Sequence, residues 1–109
     1  MNVENTKSQM RKGILEFCIL AFLKRGEAYP GDIIEELRGA GLGLLEGTLY
    51  PLLTRLKNAG LLSYRWEESS SGPPRKYYSL TKEGEKNYNE LNESWERMSE
   101  AVNRINTKI

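Results

Sequence analysis

Four leucines organise the middle of the chain. Leu49, Leu52, Leu53 and Leu56 recur at i, i+3, i+4 and i+7, which at about 100° per residue gathers them on one side of an α-helix. Thr48, Tyr50, Pro51, Thr54, Arg55 and Asn58 fall on the other side, an outward strip of hydrogen-bonding groups with one guanidinium and no carboxylate. Such a strip suits a groove lined with base edges and phosphates, and it also suits plain solvent. Proline lacks the N–H that a helix interior needs but is tolerated in a first turn. The helix is therefore predicted to begin near Thr48, whose hydroxyl is a competent N-cap, and to stop at Gly60. Thr48 then either caps only, or caps and meets a phosphate.

Upstream, residues 1–8 are polar and predicted to be frayed. From about Gln9 to Lys24 the residues Met10, Ile14, Leu15, Phe17, Cys18, Ile19, Leu20, Phe22 and Leu23 predict a helix that is apolar nearly all round in its second half. A helix of that kind needs cover on more than one side, and in a short chain a second subunit supplies it most readily. Gly26 ends this helix after Lys24 and Arg25, which favour its negative end. Pro30 then stands at a first helical position ahead of Ile33, Ile34 and Leu37, with Gly39-Ala40-Gly41 as the stop. Two short helices joined through a glycine-containing connection, the second bearing a polar strip, form a helix-turn-helix candidate.

Past Gly60 the period changes to two. Leu62, Tyr64 and Trp66 point one way and Ser63, Arg65 and Glu67 the other, which predicts a half-buried strand. Residues 68–74, Glu-Ser-Ser-Ser-Gly-Pro-Pro, are expected to be a loop, and Arg75 to Leu80 a second strand. Three helices followed by such a hairpin describe a winged helix-turn-helix. Thr81 is expected to cap a last helix whose apolar positions are Tyr88, Leu91, Trp95, Met98, Val102, Ile105 and Ile109. Gaps that alternate three and four mark the seam of a coiled coil or antiparallel helix pair. The competing reading, a helix covering its own domain, struggles with a seam of up to about 32 Å.

Composition narrows the chemistry. The chain has 109 residues and a net charge of +1, with no histidine and one cysteine. Cys/His zinc sites, Ser-His or Cys-His triads and imidazole acid–base catalysis are thereby excluded. Cys18 lies in an apolar run and reads as a small core hydrophobe. Residues 1–28 and 46–80 each hold five basic and three acidic groups, whereas 81–109 hold five and six. That mild local excess matters only if it gathers on one face. No apolar run is long enough for a membrane span and no signal peptide is evident, so a cytoplasmic protein without membrane attachment is expected.

By these residues the chain resembles the PadR-like transcriptional regulators. The pieces that carry the likeness are Leu15 to Gly26, Tyr29 to Leu37, Glu46-Gly-Thr-Leu-Tyr-Pro with Arg55-Leu56 and Gly60-Leu61, and Trp66-Glu-Glu with Gly72-Pro-Pro-Arg-Lys-Tyr-Tyr-Ser-Leu-Thr81. One helix after the wing resembles the short, LmrR-like branch, which includes multidrug-sensing repressors. The resemblance implies a homodimeric, ligand-responsive repressor whose recognition helix enters the major groove while the wing follows the phosphate backbone. Carried over by position, Thr48, Tyr50, Thr54 and Arg55 would face DNA, and Arg75 and Lys76 would meet phosphates, with Tyr29 a further backbone candidate. Pro30 after Tyr29 departs from many members of the family.

The residues themselves rank these roles differently. Arg55 alone in the strip can grip a guanine bidentately, while Thr54 and Asn58 read bases weakly or touch phosphates. Arg75 and Lys76 are consecutive on a strand and point to opposite faces, so one of them could instead pack on Glu67 or Glu68. Trp95 sits mid-seam, where a coiled coil prefers Leu or Ile. It either lines a flat cavity for a planar apolar effector, with Met10, Phe17 and Met98 as neighbours, or simply packs a dimer core.

The expectation is thus an α+β, mainly helical chain: a winged helix-turn-helix DNA-binding domain over 9–80 and a dimerisation helix over 81–109. Its partners would be double-stranded DNA at a palindromic operator, a second copy and a planar apolar small molecule, with no metal or other cofactor. The alternative is a winged-helix protein–protein interaction module that never touches DNA, a reading supported by the near-neutral charge. An enzyme is disfavoured, because no nucleophile–base pair or glycine-rich phosphate loop is present.

Overall fold

The computed structural model describes residues 2–107. Its elements run α1 (Val3–Lys24), α2 (Pro30–Gly39), α3 (Glu46–Asn58), β1 (Leu62–Ser69), β2 (Gly72–Leu80) and α4 (Lys82–Thr107). This is the mainly helical winged helix-turn-helix with a long last helix. The core is formed by Ile19, Leu20 and Leu23 of α1, Ile33, Ile34 and Leu37 of α2, and Leu49, Leu53 and Leu56 of α3. Leu62 and Tyr78 close it from the base of the hairpin. Leu52, the fourth leucine of α3, lies only half-buried at its edge.

The glycine stops stand as read. Gly26, Gly41 and Gly60 follow α1, α2 and α3 with φ of 150°, 88° and 82°, a region in which a Cβ is costly. Pro30 opens α2, and the Asp32 carboxylate accepts a 3.4 Å hydrogen bond from the Tyr29 N–H. Thr81 Oγ1 accepts from the Gly84 N–H at 3.0 Å and donates to the Gly60 carbonyl at 2.6 Å, tying the start of α4 to the end of α3. Gly84 itself is a close approach: a Cβ there would stand 2.0 Å from the Leu61 carbonyl oxygen.

Three boundaries differ from expectation. Residues 3–8 are not frayed but form the first turns of α1, capped by the Asn2 side chain, which accepts from the Asn5 N–H at 3.3 Å. They bury nothing, so no hydrophobic period announced them.

The helix α3 opens two residues earlier than Thr48. The N–H groups of Thr48 and Leu49 both bond to the Leu45 carbonyl, so Thr48 is inside the first turn and does not cap it. Pro51 therefore stands in the second turn and leaves the exposed Gly47 carbonyl without its intrahelical donor.

The loop expected over 68–74 is mostly strand. Ser70 and Ser71 alone form the turn, and a bulge sets Pro73 and Pro74 against Glu68. In a two-stranded ribbon every outward edge is free, so prolines cost the pairing little. For the same reason β1 is not half-buried: Leu62 is its one buried residue.

Candidate nucleic-acid interface

The leucine stripe that packs α3 onto the core fixes which side of the helix looks outward. Thr48, Tyr50, Pro51, Thr54, Arg55 and Asn58 are all exposed, as the spacing required. The hairpin stands beside this helix, anchored at its base. Ala28 and Tyr78 exchange backbone hydrogen bonds of 3.0 and 2.8 Å, so the segment ahead of α2 pairs with β2. Burial pushes the Tyr78 phenol above its ordinary pKa, in keeping with its place in the core.

The two faces of the wing carry separate cation–aromatic groups. With Trp66 opposite Lys76 and Tyr64 opposite Tyr78, one face presents Lys76 over the rings of Tyr64 (4.3 Å) and Trp66 (5.2 Å). Lys57, from the end of α3, lies over the same Tyr64 ring at 5.6 Å. Two ammonium groups thus converge on one aromatic side chain between α3 and the wing.

On the other face Arg75 lies over Tyr29 at 4.5 Å, and Tyr29 meets Tyr77 at a ring separation of 5.8 Å. Arg65 covers Tyr77 at 5.0 Å and clamps Glu27 through Nε (3.0 Å) and Nη2 (2.5 Å), with Nη1 3.2 Å from Glu67. The Arg65 hydrogen bond holds the Glu27 carboxyl below its usual range, and the two carboxylates raise the guanidinium's pKa further. Glu67 is therefore taken by Arg65, and Arg75 and Lys76 lean on aromatic rings rather than on Glu67 or Glu68. The opposite orientation of those two cations stands as read.

The structure accordingly places Tyr29 with Arg75, and Lys76 with the α3 side of the wing. Sequence reasoning passed over Lys57, which falls off the polar strip, and Trp66, which it assigned to a buried face although the ring is exposed. It also left Arg55 without a partner, whereas the guanidinium pairs with Glu16 of α1. Pairings between helices distant in sequence leave no periodic signal.

Away from this interface, α1 and α4 enclose a groove of about 670 Å³. Met10, Phe17, Trp95 and Met98 all line it, together with Ile14, Leu91 and Val102. The Phe17 ring lies 5.8 Å from Tyr88 and 6.4 Å from Trp95. Along α4 the seam side chains Leu91, Trp95, Met98, Val102 and Ile105 are 40–76 % exposed, and Tyr88 is half-buried. Ile109, the last seam position, lies outside the described residues. Cys18 is half-buried against the core, and burial raises its thiol pKa, so it packs as a neutral group.

Known proteins share this fold. Residues 19–90 match the model of the transcriptional regulator PadR-like family. A PadR-like transcription factor from Bacteroides fragilis is 59% identical, with 93% of this chain and 98% of that one covered and a TM-score of 0.79. A PadR-like transcriptional regulator from Bacillus cereus is 36% identical over 93% of this chain and 99% of its own, at a TM-score of 0.85. The PadR protein of Bacillus subtilis, solved in complex with operator DNA, is 25% identical over 72% of this chain and 46% of its own, at a TM-score of 0.66.

Proposed function

We propose, for a chain that belongs to the PadR-like family of transcriptional regulators, that it is a homodimeric repressor whose operator binding responds to a small molecule. The observation that carries the DNA-binding part is the exposed strip of α3, with Arg55 in its middle and Lys57 of the same helix and Lys76 of the wing beside it. In this reading Arg55 grips a guanine edge, Thr48, Tyr50, Thr54 and Asn58 make lesser base or phosphate contacts, and Lys76 and Arg75 follow the backbone with Tyr29. The operator-bound PadR of Bacillus subtilis supports it by analogy. Arg55→Ala should weaken operator binding by about 1–3 kcal/mol and binding to random DNA by less. Equal losses on the two duplexes would overturn the base-reading role.

The winged-helix body over residues 9–80, with the earlier turns of α1, would bind DNA, and the helix over 81–109 would hold two copies together. Support for the dimer is the exposed seam of α4, continuous with a groove that α1 leaves uncovered. Two-fold symmetry would then set the recognition helices about one DNA turn apart, ~34–36 Å, on a palindromic site. A groove of about 670 Å³ is the size of a small-molecule pocket, and its lining is mainly apolar with Gln9, Ser94, Ser99 and Asn103 as hydrogen-bonding groups. A planar, neutral aromatic effector fits that chemistry, stacking on Trp95. Such a compound should quench tryptophan emission in the wild type and not in Trp95→Phe.

The near-neutral charge keeps the protein-interaction module as the second reading, and salt separates the two. A DNA binder loses affinity steeply on a log–log plot against salt; a module that avoids DNA shows no such line. No helix among the described residues is long and apolar enough to cross a membrane, in keeping with a regulator that works on DNA in the cytoplasm.

A further inference from the structure

The guanidinium on which base reading rests is already engaged. Arg55 Nη2 pairs with Glu16 Oε1, and the Glu16 side chain is set back at 24 % exposure while that of Arg55 stands forward at 52 %. Glu16 interrupts the apolar run from Ile14 to Leu23, and a carboxylate close to a DNA-binding face repels phosphates. Stability does not account for it, because a partly exposed ion pair contributes little. Its geometry has another use. A guanidinium offers five N–H donors in one plane, more than one carboxylate can take up, so a pairing with Glu16 is compatible with a further partner. Bidentate contact with guanine O6 and N7 requires that plane to be held in one orientation, and a long arginine otherwise loses rotamer freedom on binding.

We propose that Glu16 is a positioning residue for specificity: it fixes the Arg55 fork for a guanine edge and, as a negative charge, weakens binding to DNA that lacks one. This rests on the reading of α3 as the base-reading helix. Glu16 would then raise discrimination at the expense of nonspecific affinity, so its removal acts in opposite senses on the two kinds of DNA.

The test uses the full chain, a duplex enriched from a random pool and a scrambled duplex of the same composition. Wild type, Glu16→Gln, Arg55→Ala and the double variant are compared on both. Arg55→Ala should lower the ratio of enriched to scrambled affinity about 5- to 150-fold. Glu16→Gln should lower it about three- to tenfold, with scrambled-duplex affinity equal to wild type or higher. In the Arg55→Ala background, Glu16→Gln should change the ratio less than about twofold. An enriched motif from Glu16→Gln should also lose preference at one guanine per half-site and nowhere else. If Arg55→Ala lowers the ratio and Glu16→Gln leaves it at the wild-type value, the positioning role is wrong while α3 still reads bases. If Glu16→Gln lowers it equally without Arg55, Glu16 acts through something else and the proposal falls. A ratio untouched by Arg55→Ala removes the reading of α3 and this inference with it.

Discussion

The body of the molecule and its tail helix handle apolar surface in opposite ways. From α1 to β2, thirteen apolar side chains are buried, with Ile19, Ile33, Leu49 and Leu53 fully enclosed. Along the 26 residues of α4 the one buried position is Gly84, and five large apolar side chains stand in solvent at regular spacing. The outline follows: the Cα radius of gyration is 15.9 Å and the long axis 58 Å, against about 13 Å for a compact chain of this length. The body carries the enclosed core onto which α3 packs. The tail has an apolar stripe that its own chain leaves largely bare, a surface that the proposed second copy would cover.

Substitutions in the two regions should therefore fail differently. The largest effect belongs to the body: Leu53→Ala empties a fully enclosed site and should cost about 2–5 kcal/mol in urea unfolding, whatever the protein concentration. In the tail, Val102→Asp sets a charge in the seam. On the dimer reading it should raise the dissociation constant of the pair by about a hundredfold or more in sedimentation equilibrium, with the helical spectrum of the body kept. A loss of stability independent of concentration would erase the distinction between the regions.

Gly84 sits where they join. A methyl group there meets the Leu61 carbonyl, so Gly84→Ala should displace α4 and cost about 1–3 kcal/mol, read as a lowered melting temperature. The smallest effect is at the same junction. The hydrogen bond from Lys24 holds the Glu85 carboxyl below its ordinary 4.5. A depressed carboxylate contributes stability that is full above the unfolded value and is lost as pH falls through the lowered one. Melting temperature should thus decline slightly on going from about pH 6 to about pH 3, and Glu85→Gln should flatten part of that decline. The Glu27–Arg65 clamp adds to it with the same sign.

Much of this was legible in the sequence, because period and punctuation report burial. The leucines of α3 marked its inward face, and the three-four alternation of α4 marked an apolar stripe that the fold leaves exposed. Pro30 and the three helix-ending glycines marked ends through backbone geometry alone. What escaped notice had no periodic signature. The first turns of α1 bury nothing and are held by an asparagine cap. Propensity puts Pro51 in a first turn, yet packing of Leu49 and Leu53 carries the helix back to Glu46 in spite of it. Pro73 and Pro74 read as breakers, but an open two-stranded ribbon accommodates them. The partners of Arg55 and Arg65 lie on other elements, Glu16 on α1 and Glu27 in the segment after it, and only the folded chain brings them within reach.

A bare tail seam that joins two copies would bring two α3 helices to one duplex at its own pitch. Selection of bound sequences from a random pool of double-stranded DNA tests it most directly. An enriched motif with two-fold symmetry is expected, its half-site centres about 10–10.5 base pairs apart. Enrichment of a single asymmetric site, or no enrichment over unselected DNA, would contradict it.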